Sequence, residues 1–351
     1  MSGSSLDGLD MAHCQFDQVT GKMEWSILEA RTIPFTESWK SKLQNANTLQ
    51  GFDLMQLDAQ FGIFIGKEVK AWIEEKKINA DLIASHGHTV FHEPELHFTT
   101  QIGNGAQIAA ITKIDTITDF RQADVANGGH GAPFAPVADR DLFSGYDGYL
   151  NLGGIVNISI HLPNQTWKAW DIGPCNQALN FLAGKKGLSF DAEGTLASSG
   201  KIIPEVVSQL KKYFPPTSGN AFSLSNATVQ KTWLDTLEHS QVNVQDLLAC
   251  TTEAIVQLII DHIAAVRETP AKILVTGGGA HNSFLLQQLN ANGKNHSFSF
   301  EKPADLLIDF KESLLMAYLG YLSFYNKPFG IHSVTGAAHD SVGGVYHKAI
   351  R

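Results

Sequence analysis

Tyr149-Leu150-Asn151-Leu152-Gly153-Gly154-Ile155-Val156-Asn157-Ile158-Ser159-Ile160 is the stretch from which the fold is read. Tyr149 to Leu152 has the composition of a strand, Gly153-Gly154 that of a tight turn, and Ile155 to Ile160 that of a strand returning. The glycine pair lets backbone N–H groups approach a phosphate, and it serves equally well as a plain hairpin turn. A third strand is expected to end at Trp170-Asp171. Upstream, residues 8 to 16 alternate apolar and polar side chains as a half-buried strand does. Residues 52 to 76 carry Phe52, Leu54, Met55, Leu57, Phe61, Ile63, Val69 and Trp72 at near-helical spacing. Asp81 to Ser85 reads as a short buried strand, and Thr116 to Thr118 as another that ends at Asp119. Downstream, residues 246 to 267 read as a long amphipathic helix. Lys272 to Val275 reads as a strand feeding Gly277-Gly278-Gly279, and Glu312 to Phe324 as an apolar helix. This unbroken alternation predicts an α/β protein of two similar lobes around a cleft.

Bulk properties narrow the function. The chain has 351 residues, 43% hydrophobic and 17% charged, with a formal net charge of -9. That acidity argues against nucleic acid or an anionic membrane as partner. Cys14, Cys175 and Cys250 lie far apart with no CxxC pair, which fits a reducing cytoplasm without disulfides or a zinc site. With no apolar run of eighteen residues and no secretory leader at Met1-Ser2-Gly3-Ser4-Ser5, a soluble, cytoplasmic protein is expected.

Two further loops suit a nucleotide. In Gly3-Ser4-Ser5-Leu6-Asp7-Gly8, small residues between glycines admit phosphate oxygens, and Asp7 suits Mg²⁺ held through water. In Thr276-Gly277-Gly278-Gly279-Ala280-His281-Asn282, bare backbone suits an adenine or ribose, with Asn282 free to hydrogen-bond. Neither a Walker loop nor GxGxxG is present. Each loop alone also reads as an ordinary turn. Their order resembles that of the actin, hexokinase and sugar-kinase superfamily.

Longer motifs are specific to one family. Met1-Ser2-Gly3-Ser4-Ser5-Leu6-Asp7-Gly8-Leu9-Asp10, Ser85-His86-Gly87-His88-Thr89-Val90 and Asp119-Phe120-Arg121-Gln122-Ala123-Asp124-Val125-Ala126 resemble the signatures of the anhydro-N-acetylmuramic acid kinases. So do Gly128-Gly129-His130-Gly131-Ala132-Pro133, Asp171 to Asn176, Lys311-Glu312-Ser313 and Thr335-Gly336-Ala337, in the family's order. The resemblance implies two ribonuclease-H-like lobes: residues 1–130 plus about 312–351 as lobe I, and 131–311 as lobe II. It implies ATP and Mg²⁺ as cofactors, an amino sugar as partner, and commonly a homodimer. It also implies a dual reaction of cell-wall recycling. Water opens the 1,6-anhydro bridge of anhydro-N-acetylmuramic acid, and the γ-phosphate of ATP passes to O6. ATP contacts are then expected from Gly3, Ser4, Ser5, Asp7 (also the metal), Gly8, Gly153, Gly154, Asn157, Gly277, Gly278, Gly279 and Asn282. Sugar contacts are expected from His86, His88, Thr89, Asp119, Arg121, Asp124 and Glu312.

The match departs at the catalytic base. The family's GPGNxLLD ends in a carboxylate, whereas Gly173-Pro174-Cys175-Asn176-Gln177-Ala178-Leu179-Asn180 ends in an amide that is no base at neutral pH. Cys175 replaces glycine, Ile172 replaces threonine, and Asn104 stands where aspartate is common. Asp119, Asp124, Asp171 or Asp191 could supply the base. Alternatively the chain is a kinase for another amino sugar, or a catalytically silent nucleotide- and sugar-binding homologue. Relatives carry a few apolar residues before Met-Ser-Gly that complete a central strand, and the loss of that strand is expected to destabilise the first lobe.

Single residues carry competing readings. Arg121 suits a bidentate clamp on a lactyl carboxylate or an ion pair with Asp119 or Asp124. The spacing of His86, His88 and His92 is more that of hydrogen-bonding groups than of metal ligands. Glu312 is either a first-turn helix residue or a sugar contact. Cys175 reads as a packed residue, and Trp167 and Trp170 as buried rather than sugar-stacking.

Overall fold

Alternating side chains send Leu9 and Met11 inward from β1 (Gly8–Val19). The strand turns at Thr20-Gly21, both at positive φ, into antiparallel β2 (Lys22–Pro34), the twist a two-residue hairpin requires. The computed structural model describes residues 1–3, 6–162, 167–216 and 224–350. It divides the chain into two compact units, Met1–Ser144 with Phe310–Arg351, and Gly145–Asp309.

In the first unit, helix Gly51–Lys76 buries Leu57, Phe61, Ile65 and Trp72 on one stripe against Leu9, Met11 and Phe35. Its Gly62 admits the start of helix Gly105–Thr112, since a Cβ there would sit 2.6 Å from Asn104 O. The strand expected over residues 81 to 85 shrinks to β3 (Ile83–Ala84). β4 (His88–Glu93) and β5 (Phe98–Ile102) form a hairpin. β6 (Thr116–Thr118) lies parallel to β3 and antiparallel to β12 (Val345–His347), the last strand of the chain. β1 and β3 thus belong to separate sheets, and a groove of about 510 Å³ is lined by both. At its edge Met1 pairs with Asp10 through two backbone bonds, from the amino group to Asp10 O (2.8 Å) and from Asp10 N to Met1 O (2.9 Å).

The boundaries differ from those expected. Residues 131–144 go with the first unit because helix Ala135–Leu142 is tied into it. Trp25 Nε1 donates to Leu142 O (2.6 Å), Tyr318 OH donates to Asp141 Oδ2 (2.8 Å), and Lys311 Nζ pairs with Asp139 Oδ1 (2.9 Å). The chain returns to this unit at Phe310, where helix Asp305–Phe324 breaks (φ −119°, ψ 18°).

The second unit is built on one five-stranded sheet. β7 (Gly148–Leu152), β8 (Ile155–His161) and β9 (Trp167–Pro174) form an antiparallel meander. β10 (Ala271–Thr276) lies parallel to β7 on one side and to β11 (Phe298–Glu301) on the other. β9 runs three residues past the expected end at Asp171. Helix Val244–Ala264 is not amphipathic as expected. It is buried nearly all round, against β9 and helices Thr195–Ser199, Pro204–Lys211 and Ser283–Gly293. It is long and apolar enough to cross a membrane, but it forms the core of this unit. Its one buried imidazole is satisfied: His262 Nδ1 accepts from Trp170 Nε1 (3.0 Å) while Nε2 faces Phe214 O (3.3 Å). Trp170 is thereby buried, not a sugar platform, and Trp167 stacks on Tyr149.

The Asp139–Lys311 pair supplies a test of how helix Ala135–Leu142 is held. Lys311→Ala removes the cation beside a carboxylate whose side chain is only 3% exposed, and it is expected to lower unfolding free energy by about 3–5 kcal/mol in urea titrations. Replacing both partners by apolar residues of similar volume should cost far less.

Candidate functional site

The first glycine loop closes on the Met1–Asp10 pair. Leu6, at φ 54°, donates its N–H to Gly3 O (3.4 Å). Asp7 is exposed, and its Oδ1 accepts from Gly8 N (3.0 Å). Gly8 faces β2 so closely that a Cβ would meet Ile33 O at 2.6 Å. Ser4 and Ser5, named from the sequence, lie outside the described residues. Asp10 and Asp7 push the Glu312 carboxyl up after burial has done most of the work, while Arg121 and the Met1 amine oppose them. Among the described residues no group of three or more His, Cys, Asp or Glu stands ready to hold a metal.

A second cluster forms where β3 and β6 end. His86 is 5% exposed, with Nδ1 on Gly87 O (3.2 Å) and Nε2 accepting from Arg121 Nε (2.9 Å). Burial, then the Arg121 charge, pushes the imidazole down to about 3, so it is neutral with its proton on Nδ1. Arg121 Nη1 donates to Gly131 O (2.9 Å). The guanidinium therefore makes neither expected ion pair among these contacts. Asp119, at φ 58°, receives the Thr118 hydroxyl on Oδ2 (2.6 Å) and Gln122 Nε2 on Oδ1 (3.3 Å). It lines a cavity of about 190 Å³ with His86, Asn104, Asp58 and His347. His88 and Thr89 start β4. His88 Nδ1 is 3.5 Å from Ser2 Oγ, and Thr89 Oγ1 accepts from Gln101 Nε2 at 3.5 Å. His92 Nδ1 faces Thr99 Oγ1 (3.2 Å).

Asp124, expected to contact the sugar, braces the loop at Gly131. It is 1% exposed, with Oδ1 accepting from Thr335 Oγ1 and Oδ2 from Gly131 N, both at 2.7 Å. Asp191 is likewise a cap, both of its oxygens taking the N–H groups of Leu196 (2.8 Å) and Ala197 (2.9 Å). Asn104 answers the sequence departure there. Its amide donates to Asp58 Oδ2 (3.0 Å), where an aspartate would face a like charge.

In the second unit two glycine loops meet over the end of β7. Gly277 (φ 82°, ψ 163°) lies so close that a Cβ would stand 2.3 Å from Asn151 Oδ1, and one on Gly279 would stand 2.7 Å from Leu152 Cβ. Gly278 is open, with only Asn176 Nδ2 near at 3.7 Å. Carbonyls of Gly153 and Gly154 accept from Asn176 N (3.1 Å) and Cys175 N (2.9 Å), anchoring helix Asn176–Gly184 to the turn. Asn157 stands opposite Asp171 in the ladder, and Asp171 Oδ2 accepts from Leu224 N (2.7 Å). Asn282 Oδ1 caps helix Ser283–Gly293 by accepting from Leu285 N (3.0 Å). Asn180 is exposed on helix Asn176–Gly184. Cys175 is fully buried and its thiol is pushed up to about 12, so it is packing, not a nucleophile.

Sequence reasoning missed His347 and Asp58. Neither sits in a motif, and only the pairing of β12 with β6 and the packing of helix Gly51–Lys76 bring them to this cavity.

A sequence profile of the family described as anhydro-N-acetylmuramic acid kinase matches residues 1–349. A relative of that description from Aliivibrio fischeri is 33% identical, covering 99% of this chain and 98% of its own length. One from Sulfurovum sp. is 32% identical over 99% and 97%. Component A of the (R)-2-hydroxyglutaryl-CoA dehydratase of Acidaminococcus fermentans overlays 54% of this chain and 66% of its own, with TM-score 0.36 and 13% identity.

At Gly277 the backbone lies in a region only glycine adopts readily, so Gly277→Ala is expected to cost about 1–3 kcal/mol. Denaturant titration measures that loss.

Proposed function

Because the chain belongs to the anhydro-N-acetylmuramic acid kinase family, a family of phosphotransferases with the actin/hexokinase-type α/β fold, we propose that it carries out that family's dual reaction. In this reading it opens the 1,6-anhydro bridge with water and phosphorylates O6 from ATP. The product is N-acetylmuramic acid 6-phosphate, made in the cytoplasm during cell-wall recycling.

The observation that carries the reading is the Arg121–His86 contact. A neutral imidazole fixes the guanidinium in place without cancelling its charge. The remaining N–H groups suit a carboxylate in a fork, and the lactyl group of N-acetylmuramic acid is one. Glu312, an exposed carboxyl whose pKa desolvation raises, suits a hydrogen bond to a sugar hydroxyl. Gly277 to Gly279 and Gly153-Gly154 suit nucleotide binding through bare backbone. Exposed Asp7 supplies the hard oxygen that Mg²⁺ prefers, and the ion would neutralise phosphate charge.

The attacking water needs a proton acceptor, and the amide of Asn180 is not one. Of the four carboxylates weighed as replacements, Asp124 and Asp191 are sequestered and Asp171 holds Leu224 N. Asp119 keeps an oxygen bound only weakly, at 3.3 Å, beside a cavity. It is assigned the proton.

Purified protein with Mg-ATP and anhydro-N-acetylmuramic acid is expected to give the ring-opened 6-phosphate by mass spectrometry. Asp119→Asn should slow it by about 10²–10⁴. Product from Asn180→Asp alone would instead show a kinase scaffold whose own chemistry lies elsewhere. Arg121→Ala should raise KM for the sugar about 10- to 100-fold, the worth of a charge-assisted bond, with KM for ATP unchanged.

A further inference from the structure

The last strand of the chain brings an imidazole to Asp119 that no motif announces. β12 pairs antiparallel with β6, Val345 opposite Thr118 and His347 opposite Thr116. Diagonal neighbours on one face of such a pair are within reach of a long side chain. His347 Nε2 accordingly lies 2.9 Å from Thr118 Oγ1, and Thr118 Oγ1 lies 2.6 Å from Asp119 Oδ2. The carboxylate can only accept, so the hydroxyl proton points to Asp119. The hydroxyl oxygen then accepts from His347, which places the imidazole proton on Nε2.

Two further observations mark this as a built arrangement. Gly105, at the start of helix Gly105–Thr112, makes room for the ring, since a Cβ there would stand 2.3 Å from His347 Cδ2 and 2.7 Å from Thr118 Cγ2. Asp119 itself holds φ 58°, an uncommon conformation for a residue other than glycine, which turns it out of the end of β6. Thr118, Asp119 and His347 all line the cavity of about 190 Å³.

We propose that His347 is a positioning residue for Asp119, acting through Thr118 to fix which carboxylate oxygen receives the proton. A serine or threonine hydroxyl is a free rotor. The imidazole N–H occupies its lone pair and leaves it one direction in which to donate. Oδ2 is then committed to Thr118, and Oδ1 is the oxygen that takes a proton from the attacking water. The His347 ring gains and loses no proton in this step. This inference rests on Asp119 being the proton acceptor.

Steady-state kinetics on the full chain with Mg-ATP and anhydro-N-acetylmuramic acid test it. His347→Phe keeps a ring but removes the donor, and Thr118→Val removes the rotor. Each is expected to lower kcat at least tenfold with both KM values unchanged. The double variant should be no worse than either single one, because the three groups form one chain. His347→Gln, whose amide donates from a similar reach, should recover most of the rate. The inference is overturned if His347→Phe leaves kcat unchanged, if both KM values rise with it, or if His347→Gln gives no recovery. Asp119→Asn separates the two claims. If it abolishes turnover while His347→Phe does not, only the positioning role fails. If it is harmless, the Asp119 reading fails too.

Discussion

The contact between Arg121 Nε and His86 Nε2 is the interaction on which the first unit's site depends. A partly buried arginine often meets a carboxylate, which would spend its charge. Here the partner is an imidazole kept neutral by burial and by the arginine itself. The arrangement holds the guanidinium still and leaves it positive. Arg121 then reaches Gly131 O, and Asp124 holds Gly131 N and Thr335, so one short loop is pinned from two sides. Asp119 lies two residues before Arg121 at the end of β6, and its position follows from the same anchoring.

Much of the fold was legible because glycine and β-branched residues mark it directly. Gly153-Gly154 sits between two strands that pair as their composition requires, and Gly277 stands where no side chain fits. Legibility failed where tertiary packing decides. Residues 246 to 267 look amphipathic because Glu253, Gln257 and Asp261 recur on one face, yet helices and a sheet cover the rest of the surface. Partners were harder still. Nothing in DFRQAD says that Arg121 turns to a histidine 35 residues away, or that Asp124 is sealed beneath Thr335. Glu312 looked like a helix start. The helix begins at Asp305 and breaks at Phe310, so the residue follows a break, not a terminus.

The departures from the family's motifs divide on physical grounds. Ile172 is 1% exposed in the sheet core and Cys175 is fully buried, so both are apolar packing choices. Asn104 donates to Asp58 and caps a helix through Gln107 N. Asn180 is exposed and its neighbours do not explain it.

The central claim is the charge state of His86, and nitrogen-resolved NMR of its imidazole through a pH titration tests it most directly. The account predicts a neutral ring with the proton on Nδ1, persisting as pH falls well below 6.5 toward about 3. Because the unfolded chain binds that proton first, stability should fall over the same interval. A ring that protonates near 6.5 in the folded protein, or carries its proton on Nε2, would contradict the account.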